Sequence, residues 1–146
     1  NSTAVKDGVL YIGTDRGLVI YDEEADTVCE NELTEALDGV RIRCIYTDTH
    51  ENMWICTSGK GVYELTADEE LLVYDSNNGA GGSKFRTMVE LEGGEMLAAG
   101  DLGLTFIKNG EVKNIVGYQD GMNNPKVLCA IEQSDGTILA APTETE

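Results

Sequence analysis

The stretch Asn52-Met53-Trp54-Ile55-Cys56-Thr57-Ser58-Gly59-Lys60-Gly61-Val62-Tyr63-Glu64-Leu65 reads as two strands joined by a tight turn. Aromatic and β-branched residues fill its arms, and glycine stands where the chain must reverse, because it takes positive φ without steric cost. The same pattern lies on both sides of it. Upstream, Asp7-Gly8-Val9-Leu10-Tyr11-Ile12-Gly13-Thr14 leads into Asp15-Arg16-Gly17-Leu18-Val19-Ile20-Tyr21. Downstream, Gly94-Glu95-Met96-Leu97-Ala98-Ala99-Gly100 leads into Asp101-Leu102-Gly103-Leu104-Thr105-Phe106-Ile107, and Asp135-Gly136-Thr137-Ile138-Leu139-Ala140-Ala141-Pro142 opens a fourth copy. The anchors Tyr11, Trp54, Leu97 and Leu139 are 43, 43 and 42 residues apart.

Each copy has companions. Leading strands fall at 40–46, 85–91 and 127–132, and weaker trailing strands at 27–29, 71–74 and 112–116. With the four strands lettered a to d in chain order, the sequence predicts bcd, abcd, abcd and ab. A strand-rich repeat of this length is the signature of a β-propeller, each unit supplying one four-stranded blade. The expected fold is therefore all-β: a β-propeller fragment of about three and a half four-stranded blades, with units near 1–39, 40–82 and 83–124 and an incomplete one at 125–146.

The residues resemble the two-component regulator propeller repeats found in the sensor regions of bacterial signalling proteins. The match is Ile45-Tyr46-Thr47-Asp48, Asn52-Met53-Trp54-Ile55-Cys56-Thr57 and Gly61-Val62-Tyr63, with a second copy at Leu10-Tyr11-Ile12-Gly13-Thr14 and Gly17-Leu18. The linking segment is similar too, at Asp120-Gly121-Met122-Asn123-Asn124-Pro125-Lys126-Val127. Trp occurs once, so the third and fourth copies carry leucine at the aromatic position, and Pro142 stands where the pattern has Thr. Neither the double-Gly signature of kelch repeats nor a blade-closing Trp-Asp pair is present. The resemblance implies an extracytoplasmic, periplasmic or cell-surface input region of a membrane-anchored histidine kinase or diguanylate cyclase, one that detects saccharides or other nutrients.

Charge narrows the partners. With 10 Lys+Arg against 27 Asp+Glu the net charge is −17, which repels a phosphate backbone, so nucleic acid is not expected. The acidic runs Asp22-Glu23-Glu24 and Asp68-Glu69-Glu70 fall between strands c and d and read as solvated turns without the spacing of a calcium loop. No apolar run of the ~18 residues that a membrane helix requires is present, so this segment is not expected to contact a membrane. Three and a half blades do not close a ring of ~4 to 8, and open strand edges and apolar blade faces invite pairing. We expect either the remaining blades of a longer sensor or a homodimer or higher oligomer to cover them.

Cys29, Cys44, Cys56 and Cys129 contain no Cys-x-x-Cys, so no metal site and no cofactor is expected. Their strand positions suggest small buried hydrophobes carrying free thiols, although Cys44 and Cys56 face each other on adjacent strands, where a disulfide is conceivable. The single histidine, His50, sits in a turn, and without a second the usual Ser or Cys triads lack a base. Gly79-Ala80-Gly81-Gly82-Ser83-Lys84 lacks the Gly-Lys-Ser/Thr order of a phosphate loop and leads into a strand, so it reads as a linker between blades. Tyr11, Tyr46, Trp54, Tyr63 and Tyr74 are expected to stack between blades.

Propellers bind through the loops around the channel mouth, here the d-to-a linkers and b-to-c turns. Candidate contacts are Asp15, Arg16, Lys60, Asp101, Asn123 and Asn124. The expected role is a sensory ligand- or partner-binding module without catalysis of its own. A protein-interaction scaffold and, third, a propeller hydrolase or lyase using channel-mouth carboxylates are the alternatives.

Overall fold

Strands of three to six residues joined by Gly- and Asp-rich turns produce antiparallel meanders in the computed structural model, which describes residues 2–143. The first sheet comprises β1 (Ser2–Lys6), β2 (Val9–Thr14), β3 (Gly17–Asp22) and β4 (Thr27–Cys29). The second comprises β5 (Ile42–Thr47), β6 (Met53–Thr57), β7 (Val62–Leu65) and β8 (Leu71–Tyr74), and the third β9 (Phe85–Glu90), β10 (Met96–Gly100), β11 (Gly103–Lys108) and β12 (Glu111–Val116). A hairpin of β13 (Val127–Glu132) and β14 (Ile138–Pro142) follows. In every sheet sequential strands pair, and the first strands β1, β5, β9 and β13 adjoin one another. The first strand of each blade is thus innermost, and the fold is a partial β-propeller.

The anchors show why the blades stack. Successive side chains of a strand point to opposite faces, so a strand between two blades must be apolar on both. In β6, Met53 and Ile55 pack in a core shared with the first sheet, while Trp54 and Cys56 pack in one shared with the third. In β10, Met96 and Ala98 turn back toward the second sheet, and Leu97 and Ala99 turn forward onto Val127 and Ala130. Tyr11, Trp54 and Leu97 therefore all face the following blade. Leu139 holds the same position, is 48% exposed and has no described blade after it, whereas the fully buried Leu97 gains about 1.5–3 kcal/mol from burial.

Repeated turn chemistry holds the units. Gly61 and Gly103 open the third strand of their blades at φ +82° and +114°, and a Cβ there would lie 2.2 Å from the Tyr74 carbonyl oxygen or 2.0 Å from that of Val116. Only glycine fits such an approach. Thr57 Oγ1 donates to the Gly61 carbonyl at 2.7 Å and accepts from the Lys60 amide at 3.0 Å, and Thr14 repeats both contacts with Gly17 and Arg16.

Two expectations need correction, and one short element is added. The first unit is abcd rather than bcd: β1 pairs in full register with β2, but its sequence, Ser-Thr-Ala-Val-Lys, is too short and polar to announce a strand. A five-residue helix, α1 (Glu32–Ala36), interrupts the first linker. It is capped by Asn31 and held by Leu33 and Leu37, which are buried between the first two sheets. Cys129 is exposed and not a buried hydrophobe, because it lies in the hairpin beyond which no further sheet is described.

Candidate functional site

At one end of the stack the turns between second and third strands meet both the segments that enter their own blades and the linkers to the next. Backbone bonds fix this meeting: the Gly39 amide donates to the Arg16 carbonyl at 2.8 Å, Ser58 to Arg41 at 3.0 Å, and Asp101 to Lys84 at 3.1 Å. Both Gly59 and Gly61 donate to the Ser83 carbonyl, so Gly79–Lys84 is a linker as read.

Charges collect here around arginines. Arg41 Nε lies 3.0 Å from Asp15 Oδ1 across the junction of the first two blades, and Arg86 Nε lies 3.4 Å from Asp101 Oδ1 within the third. Between them Arg43 is half-buried. Burial and the nearby Arg86 and Arg41 guanidinium groups lower its pKa, against a smaller opposing pull from Asp101 and Asp15. Asp15 and Asp101 thus enter one electrostatic cluster, each tied to an arginine rather than converging as a carboxylate pair.

The other candidates take no part in these two ion pairs. Lys60 is exposed on a groove of about 370 Å³ with Tyr63, Asp75 and Ser83. Arg16 and Asn123 are exposed. Asn124 is structural, its amide donating to the Thr143 carbonyl at 2.7 Å while its oxygen accepts from the Lys126 amide. A neighbouring cleft of about 490 Å³ is lined by Ser76, Ser83, Lys84, Asp101, Leu102 and Lys126. Sequence reasoning passed over Arg41, Arg43 and Arg86. The signal was available, since Arg43 and Arg86 are one repeat of 43 residues apart.

At the opposite end, the turn 48–52 is a structural lock. Asp48 Oδ2 accepts from the Trp54 indole at 2.9 Å and from the Asn52 amide group at 3.1 Å, and its Oδ1 accepts the His50 and Asn52 backbone amides. Burial acts to raise the Asp48 carboxyl, and these donors outweigh it, leaving it below its ordinary value. His50 itself is solvent-exposed. Between blades, Glu90 accepts from the Thr49 amide and hydroxyl, and Glu132 accepts from the Glu92 amide one repeat later. The stacked pair Trp54 and Tyr74, with ring centroids 5.7 Å apart, lies within one sheet on the face that packs against the third, so this stack is not one between blades.

The turn lock, the following strand and its threonine cap are the stretch that carries the resemblance. Residues 36–59 match the family model described as two component regulator propeller. The match covers 24 of the 146 residues. No curated protein matches it by sequence. Among solved structures, the extracellular domain of BT3049 from B. thetaiotaomicron, assigned as a hybrid two component system, superimposes with a TM-score of 0.78 at 20% identity over 96% of this chain and 20% of that one. The corresponding domain of BT4673 from the same organism gives 0.73 at 15% identity over 99% and 22%. A protein of unknown function from Bacteroides caccae gives 0.56 at 17% identity over 97% and 52%. The chain thus spans about a fifth of the length of the first two. At these identities the likeness is one of fold, which the two component regulator propeller repeat shares with extracellular domains of two-component proteins. No helix among the described residues is long and apolar enough to cross a membrane.

Proposed function

We propose that this segment is a non-enzymatic part of the extracytoplasmic input region of a bacterial membrane-anchored signalling protein, of the two-component or diguanylate cyclase type, and that it takes part in binding a small ligand such as a saccharide. The observation that carries the reading is the match at residues 36–59 to a two component regulator propeller repeat, set in a stack of blades like those of extracellular two-component domains. Binding would act by favouring one of two arrangements of paired sensor copies, in proportion to its difference in affinity for them. The exposed residues Leu128, Ile131 and Leu139 on the terminal hairpin support completion by further blades of a longer chain or by a second copy.

A thermal-shift screen against soluble oligosaccharides and their monosaccharides tests the ligand. A saturable rise in melting temperature with one sugar supports it, and a flat response across the panel contradicts the saccharide assignment. Light scattering tests the second copy. A mass above one chain at micromolar concentration is expected if copies pair, and a mass of one chain leaves further blades as the covering surface.

A further inference from the structure

We propose that Arg43 and Arg86, flanked by Arg41, form a binding site for an anionic group of a small ligand, a carboxylate or a tetrahedral oxyanion, at the end of the stack where the turns after β2, β6 and β10 gather. The inference deepens the ligand-binding reading by naming a ligand chemistry, but the anion site is testable whatever the segment signals.

Register carries the argument first. The pairing of β5 with β6 shifts between Ile42 and Cys44, and that of β9 with β10 shifts at Ala99 and Gly100, opposite Thr87 and Phe85. Arg43 and Arg86 are therefore the extra residues of two equivalent β-bulges. Bulges re-aim a side chain and recur beside binding sites, and here both occur on innermost strands of adjacent blades. The third such bulge, between Val127 and Cys129, carries the exposed Leu128, which confines the charge to the second and third blades.

Charge balance carries it second. Three guanidinium groups share two carboxylates, Asp15 and Asp101, and Arg43 forms no ion pair or side-chain hydrogen bond among the described residues. In a chain with 27 acidic residues and a net charge of −17, a half-buried arginine beside two others of like charge is a cost that folding alone does not require. A bound anion would offset that cost. The planar fork of an arginine suits two-point contact with a carboxylate or phosphate, and partial burial strengthens such contacts over those in water.

The test is a titration with malonate and, separately, inorganic phosphate at ionic strength fixed with sodium chloride, followed through the arginine Nε–H resonances. Saturable shifts of Arg43 and Arg86 are expected, and the tighter probe identifies which oxyanion chemistry the site prefers. Affinity should fall about tenfold or more in Arg43→Gln and stay unchanged in Lys108→Gln, whose ammonium donates to the Gly93 carbonyl at the opposite end of the stack. Arg86→Gln gives the same comparison should Arg43→Gln fail to fold. Shifts that track chloride alone, or undiminished affinity in both glutamine variants, would overturn the site. A saturable anion response in protein that no oligosaccharide stabilises would support the site while removing the saccharide assignment.

Discussion

Trp54 donates its indole N–H to Asp48 Oδ2 at 2.9 Å, closing a turn whose other donors are the Asn52 side chain and the His50 and Asn52 amides. Removing the acceptor leaves a buried indole N–H without a partner, so Asp48→Ala should cost about 1–3 kcal/mol in urea denaturation. Because the folded Asp48 carboxyl lies below its ordinary value of 3.8, its contribution is present above that value and is lost as pH falls through the folded pKa. Asp48→Asn should lack that acid-limb loss. Equal acid sensitivity in both proteins would contradict the assignment.

Glu64 behaves in the opposite sense. It is buried and accepts from the Tyr74 hydroxyl at 2.6 Å. Burial raises its pKa, opposed by the Tyr74 hydrogen bond and assisted by Asp48 and Glu70. The stability tied to its neutral form is complete below 4.5 and is lost as pH rises through the folded pKa. Glu64→Gln keeps an acceptor and drops the charge, so it should stabilise the protein at neutral pH by roughly 1 kcal/mol, with the gain vanishing in acid. A destabilised Gln variant at neutral pH would refute this.

Two glycines separate conformational strain from close approach. Gly61 combines φ +82° with a carbonyl oxygen 2.2 Å from the position a Cβ would take, whereas Gly8 has φ +77° and open space around it. Gly8→Ala should cost about 1 kcal/mol and Gly61→Ala several times that, read as the shift in denaturation midpoint. Similar costs at both positions would mean that the contact is unimportant.

Paired thiols make a chemical prediction. Cys44 and Cys56 are register partners, and both are free. Burial keeps the Cys56 thiol protonated, and its hydrogen bond to Cys44 lowers the Cys44 pKa to about 7. The pH profile of Cys44 alkylation, followed by mass spectrometry, should have its midpoint near 7 and move upward in Cys56→Val. An unchanged midpoint would show that the donor is not Cys56.

Much of this architecture was written in the sequence, because strand pairing follows a period-two pattern and the repeat multiplies a weak signal. The strands at 85–91, 127–132 and 71–74 were legible in this way, since apolar residues alternate or run between glycine turns. β1 was not, being short and polar, and neither was α1, whose single buried leucine, Leu33, with Leu37 just past its end, is too little to show a helical period. The site was less legible. Asp15 and Asp101 stand out in the sequence as turn residues at the channel mouth, whereas their arginine partners fall within the leading strands 40–46 and 85–91. A bulge, which changes where an arginine points, depends on pairing partners 12 to 15 residues away and leaves no local mark.

Residue-resolved hydrogen exchange under native conditions tests the stacking of blades most directly, because protection follows burial between sheets. Slowest exchange is expected in β6 and β10, whose residues are buried throughout, with faster exchange in the outer strand β12 and in β14. Exchange in β6 or β10 as fast as in β12 would contradict an arrangement in which each blade is covered by the next.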